Sequence, residues 1–456
     1  MNLMKPASRN PLTWVPSLYF AMGLPFVVLN MVCVLMFKGL NVSDAQITFW
    51  TSLIMWPWTI KFLWSPFLEM FRTKKFFVVA TQLASGLLFG LVALALGMPH
   101  FFAVCIALLA LVAVSGATHD IAADGVYMSE LTAREQSKYI GLQGAFYNLA
   151  KLVATGGLVY CAGMLIDRHA AAATGMSLEA AHEAVKAGTL DETVRHAAAG
   201  HGWMVIMLVC AAVMLLAGFY HLRTLPSGGG TATGVRSSRE AFRSLGAMIR
   251  NFFTKRHIWY YIAFIILYRL GEGFVMKIVP LFLKSSVADG GLGLSDQEIG
   301  LYYGSFGAAA FVVGSLLAGW YIARRGLRRT LFTLCCIFNL PFLVYTYFAI
   351  AQPSDPWLIG SGIVFEYFGY GFGFVGLTLF MMQQVAPGPH QMAHYAFASG
   401  IMNLSVMVTG AASGFLSGKL GYELFFIVVM FATIPAFLMT WFMPFTYPDG
   451  NNAAEK

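Results

Sequence analysis

In this chain of 456 residues, hydrophobic side chains make up 58%, charged ones only 11%, and the mean hydropathy is +0.69. A soluble globular domain, in which roughly a quarter of residues are charged, is excluded. The formal net charge of +8 calls for no nucleic-acid partner, because the basic residues follow a membrane topology.

Apolar runs of about 20 residues or more, long enough to cross a hydrocarbon core as helix, recur along the chain, and the short alternating strands of a barrel are absent. Twelve spans are predicted, near 14–37, 46–70, 76–97, 101–128, 139–165, 202–222, 257–283, 296–322, 330–351, 356–386, 392–418 and 422–446. The first exceeds a signal-peptide core and lacks a small-residue cleavage site, so it is expected to be retained. It carries Tyr19 and Asn30 as polar lining candidates. The second holds Trp56-Pro57-Trp58, suited to stacking on a sugar ring, and Lys61, a cation that either binds an anion or snorkels to the interface.

The fourth span contains Thr118-His119-Asp120-Ile121-Ala122-Ala123-Asp124-Gly125. In a helix, Asp120 and Asp124 lie on one face, one turn apart. Ionisable groups at that depth face a water-filled cavity or a partner charge, and two like charges so close push one towards the protonated form. The pair is read as a proton-coupling site, with Asp124 favoured. Fixed pairing with Lys151 or Arg269, or hydrogen bonding to substrate, are the alternatives. His119 is read as structural or as a relay member. The fifth span adds Gln143, Tyr147, Asn148 and Lys151.

A polar insertion at 166–201 reads as two short helices, the first capped by Ser177 and stopped by Gly188, the second opened by Thr189 with Glu192 and stopped by Gly200. A second polar stretch, 223–256, begins with Gly228-Gly229-Gly230 and then offers Ser237 with Glu240 before an amphipathic helix. Phe242, Leu245, Ile249 and Phe252 form its apolar stripe, expected to rest on the inner leaflet while the segment tethers two halves.

Span seven carries Arg269, Glu272 and Lys277. Arg269 and Glu272, three residues apart, either neutralise each other or leave the guanidinium fork for an anionic substrate. Span ten holds Glu366, placed as the counterpart of span four and expected across the cavity from the aspartates, and Tyr367-Phe368-Gly369-Tyr370-Gly371, a second stacking candidate. Asn403 lies in span eleven. The six cysteines, Cys33, Cys105, Cys161, Cys210, Cys335 and Cys336, all fall in spans and are read as buried thiols, with no disulfide or metal spacing.

An even span count puts both termini on one side. With that side cytoplasmic, 19 of the 29 Lys and Arg are cytoplasmic, against six (Lys38, Arg168, Lys186, Arg195, Lys284 and Lys419) on the other side. The positive-inside rule therefore predicts cytoplasmic termini.

The end of span eight, Gly319-Trp320-Tyr321-Ile322-Ala323-Arg324-Arg325-Gly326-Leu327-Arg328-Arg329, resembles the loop motif of the major facilitator superfamily, with Ala323 where an acid is expected. The end of span two, Ser65-Pro66-Phe67-Leu68-Glu69 followed by Arg72, Lys74 and Lys75, is similar, keeping the acid and lacking the glycines. The resemblance implies an all-α twelve-helix fold of two six-helix bundles related by pseudo-twofold symmetry, here 1–222 (with the insertion) and 257–456, joined by the linker 223–256. Lys61-Phe62-Leu63-Trp64-Ser65-Pro66, His119-Asp120-Ile121 with Asp124, Tyr268-Arg269-Leu270-Gly271-Glu272, Phe365-Glu366 and Asn403 further resemble the AmpG-type muropeptide permeases, which share a family with the acetyl-CoA transporter of the endoplasmic reticulum.

That resemblance implies a bacterial inner-membrane carrier, monomeric in lipid, importing an anionic sugar-peptide or amino sugar with protons. Asp120, Asp124 and Glu366 are its coupling candidates. Arg269, Glu272, Lys151, Lys61, Tyr147, Asn148, Trp58, Tyr370 and Asn403 are its substrate-site candidates. Acetyl-CoA or a siderophore are the alternative solutes, and a receptor or scaffold the non-transport alternative. No cofactor or metal is expected, nor an enzyme: the sequence has no nucleophile with a base and no phosphate loop.

Overall fold

In a computed structural model, residues 10–64, 68, 73–131, 133–228, 238–387 and 391–447 are described, and all regular structure among them is helical. That follows from the solvent: with no water to satisfy a backbone inside lipid, each span must bond within itself. Helix α1 runs Val15–Val27, passes a π-helical turn at Val28–Val32 and ends as Cys33–Gly39. Helix α2 is Asp44–Leu53, continued by Trp56–Ile60 and Lys61–Leu63; α3 is Lys74–Ala95 and α4 is Phe101–Glu130. Helix α5 is Ala133–Leu152, a π segment Val153–Leu158 and Val159–Thr174. Then come α6 (Leu178–Ala187), α7 (Glu192–Thr224) and α8 (Ser238–Phe253).

Helix α9 comprises Ile258–Tyr268 and Leu270–Lys284; α10 comprises Asp296–Ile299, a π segment Gly300–Phe306 and Gly307–Arg325. Helix α11 comprises Leu327–Asn339, Leu340–Phe342 and Leu343–Ala351, and α12 is Pro356–Phe380 with Met381–Val385. The stretch Gln391–Trp441 is broken at Gly421, whose φ of 71° only glycine adopts cheaply, into α13 and α14. Nine helices among the described residues are long and apolar enough to cross a membrane. The twelve spans emerge when α2 and α9, both interrupted, are added and the Gly421 break is counted.

Several local expectations change. Ser177 and Gly188 do bound α6. Asp191, not Thr189, caps α7 by accepting from Thr193 N, and α7 runs through Gly200 without a stop. One interior glycine costs a helix only about 1 kcal/mol, which apolar packing overrides. Span five likewise continues to Thr174, so the insertion holds one separate short helix, α6, between two extended span ends rather than two short helices. Helix α8 forms, but Ser237 lies outside the described residues. Its Phe252 is fully buried, 5.5 Å ring to ring from Phe397, so that end of the stripe docks on protein rather than lipid. Cys161 is exposed and Cys336 half-buried, against the expectation of six buried thiols; all six are free.

The halves, α1–α5 with α7 and α9–α14, share one hydrophobic core in which Val28, Met31 and Val32 join Val275, Ile278 and Tyr345. They meet at the face bearing the insertion. There Tyr422 donates to Asp44 (2.7 Å), Lys186 bridges to Glu298 (2.8 Å) and Gln297 donates to Asp167 (2.5 Å). The π segments of α5 and α10 also abut backbone to backbone: a Cβ at Gly304 would sit 2.2 Å from the Thr155 carbonyl oxygen. The loop copy at 319–329 turns at Gly326, φ 79°, with Arg324 stacked 4.2 Å over Trp320. Glu69 and Arg72 of the other copy lie outside the described residues.

Candidate functional site

Charge is scarce inside the bundle, and each buried charged residue has found a defined setting. On α4, Asp120 accepts from Trp58 Nε1 (2.8 Å) and Lys61 Nζ (3.3 Å), both on α2. Its ion-pair partner is thus Lys61, neither Lys151 nor Arg269. Asp124, one turn on, accepts from the Tyr19 hydroxyl of α1 at 3.0 Å. The two aspartates share a helix face but not an environment: one is held by a cation, the other by a neutral hydroxyl. His119 points the other way, into a relay with Gln82 (2.9 Å), His221 and Ser17 that ties α4 to α3, α7 and α1.

Arg269 sits at the break in α9 (φ −100°, ψ 8°), where its side chain reaches Glu272 with two hydrogen bonds. Both residues are buried, so the fork is occupied from within its own helix. The guanidinium also lies 5.3 Å from the Phe374 ring centroid. Lys277, two turns further, is 2% exposed, and its ammonium donates to the Asn30 carbonyl oxygen (3.0 Å) and side chain (3.4 Å) within the π turn of α1. No carboxylate among the described residues pairs with it.

Besides a cavity at the insertion face lined by Lys38, Lys186, Lys284 and Asp296, two cavities lie between the halves within the spans. The first, with 450 Å³ of empty volume, is lined by Asn30, Ser52, Thr59, Arg269, Lys277 and Asn403, among others. The hydroxyls of Ser52 and Thr59 are buried there without a hydrogen-bond partner. Buried polar atoms normally find partners, so two orphans beside an ammonium that pairs with no carboxylate among the described residues mark a place for a polar ligand. The second cavity, 370 Å³, is lined by Lys151, Glu272, Tyr303, Tyr345, Glu366 and Tyr370, and Met276 separates it from the first. Tyr345 donates to Glu366 at 2.9 Å.

The structure brings Arg269, Asn403 and Trp58 to the first cavity, and Lys151, Glu272, Glu366 and Tyr370 to the second. Glu366 therefore shares no cavity with Asp120 or Asp124. Tyr147 backs the α1–α5 contact, its carbonyl oxygen 3.0 Å from where a Gly23 Cβ would stand. Asn148 donates to Gly144 within its own helix (2.9 Å) and lines neither cavity. Sequence reasoning gave no role to Ser52, Thr59, Tyr303, Tyr345 or Phe311. Hydroxyls and rings are too common in spans to stand out, and only their convergence singles them out. Among the described residues no three His, Cys, Asp or Glu side chains are placed to hold a metal.

Comparison with known proteins adds a lineage. The family profile described as Major Facilitator Superfamily matches residues 196–385 and 266–456. An uncharacterised protein of Haemophilus influenzae is 23% identical over 446 residues, covering 93% of this chain and 92% of its own. The "Anhydromuropeptide permease" of Escherichia coli K12 is 22% identical over 431 residues, covering 92% and 77%. Among solved structures, a D-xylose-proton symporter superposes with a TM-score of 0.65 at 11% identity, over 96% of this chain and 98% of that one.

Proposed function

Because the chain belongs to the major facilitator superfamily, and is a membrane transporter rather than an enzyme, we propose that it imports anhydro-muropeptides across the bacterial inner membrane by proton-coupled alternating access. Both termini are cytoplasmic in this reading, and the insertion face is periplasmic. The permease named for anhydromuropeptides, matched over nearly the whole chain, supports the solute class. The observation that carries the site is Lys277, an ammonium that pairs with no carboxylate among the described residues, in a cavity with two orphaned hydroxyls. A peptide carboxylate would pair with Lys277, and sugar hydroxyls with Ser52, Thr59, Asn30 and Asn403. Arg269, occupied by Glu272, shapes this cavity and is not its free cation.

Residues 1–222 and 257–456 rock about this site, with 223–256 as tether. The structure is closed at the insertion face, and neither cavity has room for a disaccharide-peptide, so it represents a contracted form that opens to load. Asp124 and Glu366 supply coupling. Each is held by a tyrosine hydroxyl, which donates to a carboxylate and accepts from a carboxylic acid, so the hydrogen bond survives proton transfer. Asp120, fixed by Lys61 and Trp58, orients α2 on α4.

A thermal-shift panel on purified protein tests the reading. Anhydro-muropeptides and the bare disaccharide should stabilise it. Lys277→Met should weaken the peptide-bearing form about 10- to 150-fold, the worth of a charge-assisted hydrogen bond, and leave the bare sugar unchanged. Stabilisation by acetyl-CoA or a siderophore, with no response to cell-wall sugars, would remove the solute assignment.

A further inference from the structure

The second cavity contains a cation from the opposite half. Lys151, on α5, places its ammonium 4.6 Å from the ring centroid of Phe311, 5.3 Å from Tyr367 and 5.5 Å from Tyr370, rings carried by α10 and α12. All three distances fall within cation–π range. Among the described residues Lys151 makes no ion pair, although Glu272 and Glu366 line the same cavity. Three aromatic faces with carboxylates nearby are the chemistry that recognises an ammonium group. Here the ammonium is the protein's own.

Cage and lysine belong to different halves. Their alignment depends on the abutment of the α5 and α10 π segments next to them, where Gly304 meets Thr155. When the halves part at the insertion face, Lys151 withdraws with α5 and leaves the rings and Glu366 open to the entering solute. We propose that this cage is a subsite for a cationic amino group of the transported solute, and that Lys151 is its resident competitor. The lysine fills the cage in the empty, closed protein and displaces the solute's ammonium as closure proceeds. The solute then carries an ammonium as well as the carboxylate assigned to Lys277. This inference rests on reading the space between the halves as the solute path, but not on the solute being a muropeptide.

The test uses the purified full-length protein. Lys151→Ala removes Cγ, Cδ, Cε and Nζ, the outline of n-propylammonium. That ion should raise the melting midpoint of the variant in a saturable manner, while n-propanol and sodium chloride at equal concentration should not, and wild type should not respond. Adding Phe311→Leu should weaken the effect about 2- to 30-fold, the range of one cation–π contact from exposed to desolvated. Lys151→Met keeps the packing of the stem and serves if the alanine variant does not fold. Propylammonium should then raise the midpoint of this variant too, where wild type does not respond, because the resident charge is gone. Equal responses to amine and alcohol in Lys151→Ala, or equal amine responses in Lys151→Met and wild type, overturn the proposal. A negative muropeptide panel with a positive amine result removes the solute assignment and keeps the subsite.

Discussion

Closure at the insertion face should depend on the absence of a single methyl group. At Gly304 an added Cβ would stand 2.2 Å from the Thr155 oxygen, 2.4 Å from its carbonyl carbon and 2.5 Å from Gly156 N. All three are backbone atoms, so no rotamer can relieve the overlap. Reaching ordinary contact distance means parting α5 and α10 by about 1 Å, and overpacking of this kind costs about 1–3 kcal/mol. Only the closed form bears that cost, so Gly304→Ala should shift the balance towards the form open at the insertion face about 5- to 150-fold. A cysteine at Ser52, buried in the closed form, reports the shift in a background without the native cysteines. Its reaction rate with an impermeant maleimide, applied from the insertion face, scales with the open fraction. Gly319→Ala on the same helix, where an added Cβ meets nothing, is the control. If Gly304→Ala labels at the rate of Gly319→Ala, the π-segment contact does not govern closure and the argument fails.

Asp124→Asn should abolish accumulation driven by a proton gradient while leaving counterflow exchange in place, and Glu366→Gln should do the same; full accumulation in either variant in proteoliposomes would remove that residue from coupling. Glu272→Gln or Arg269→Met alone strands a buried charge at about 3–5 kcal/mol, whereas the double variant removes both charges and should recover most of that loss. Detergent thermal melts of the two singles and the double form a cycle, and additive losses would show that the residues act independently.

The spans, the insertion and the presence of buried charge were legible in the sequence, because composition makes each of them conspicuous. The Arg269–Glu272 pair was legible too, since i,i+3 spacing is local. The partners of the other charges were not. Lys61 and Asp120 lie 59 residues apart, and Lys277 and Asn30 lie 247 apart, so helix packing rather than pattern decides them. The expectation that Glu366 faces the aspartates came from counting spans. Symmetry of topology fixes which helix a residue rides on, not which way it points. The continuity of α7 through Gly200 was hidden because a glycine reads as a stop only where its backbone turns left-handed, as at Gly188 and not at Gly200.

That continuity has a mechanical consequence. A helix of 33 residues is about 50 Å long, and the hydrocarbon it crosses is about 30 Å thick. Together with the extended end of α5, the ten residues Glu192–His201 of α7 form a stalk reaching roughly 15 Å beyond the lipid core. It carries α6 and the Lys186 arm that clasps Glu298 on the other half. A rocking rotation on the order of 10° moves the tip of such a lever by about 2–3 Å relative to its base. A contact of 2.8 Å does not survive lengthening by that much, so the outermost bond breaks before the helices beneath have separated by much. The stalk is therefore an amplifier of the motion of the bundle, and a probe on its tip would read that motion at its largest.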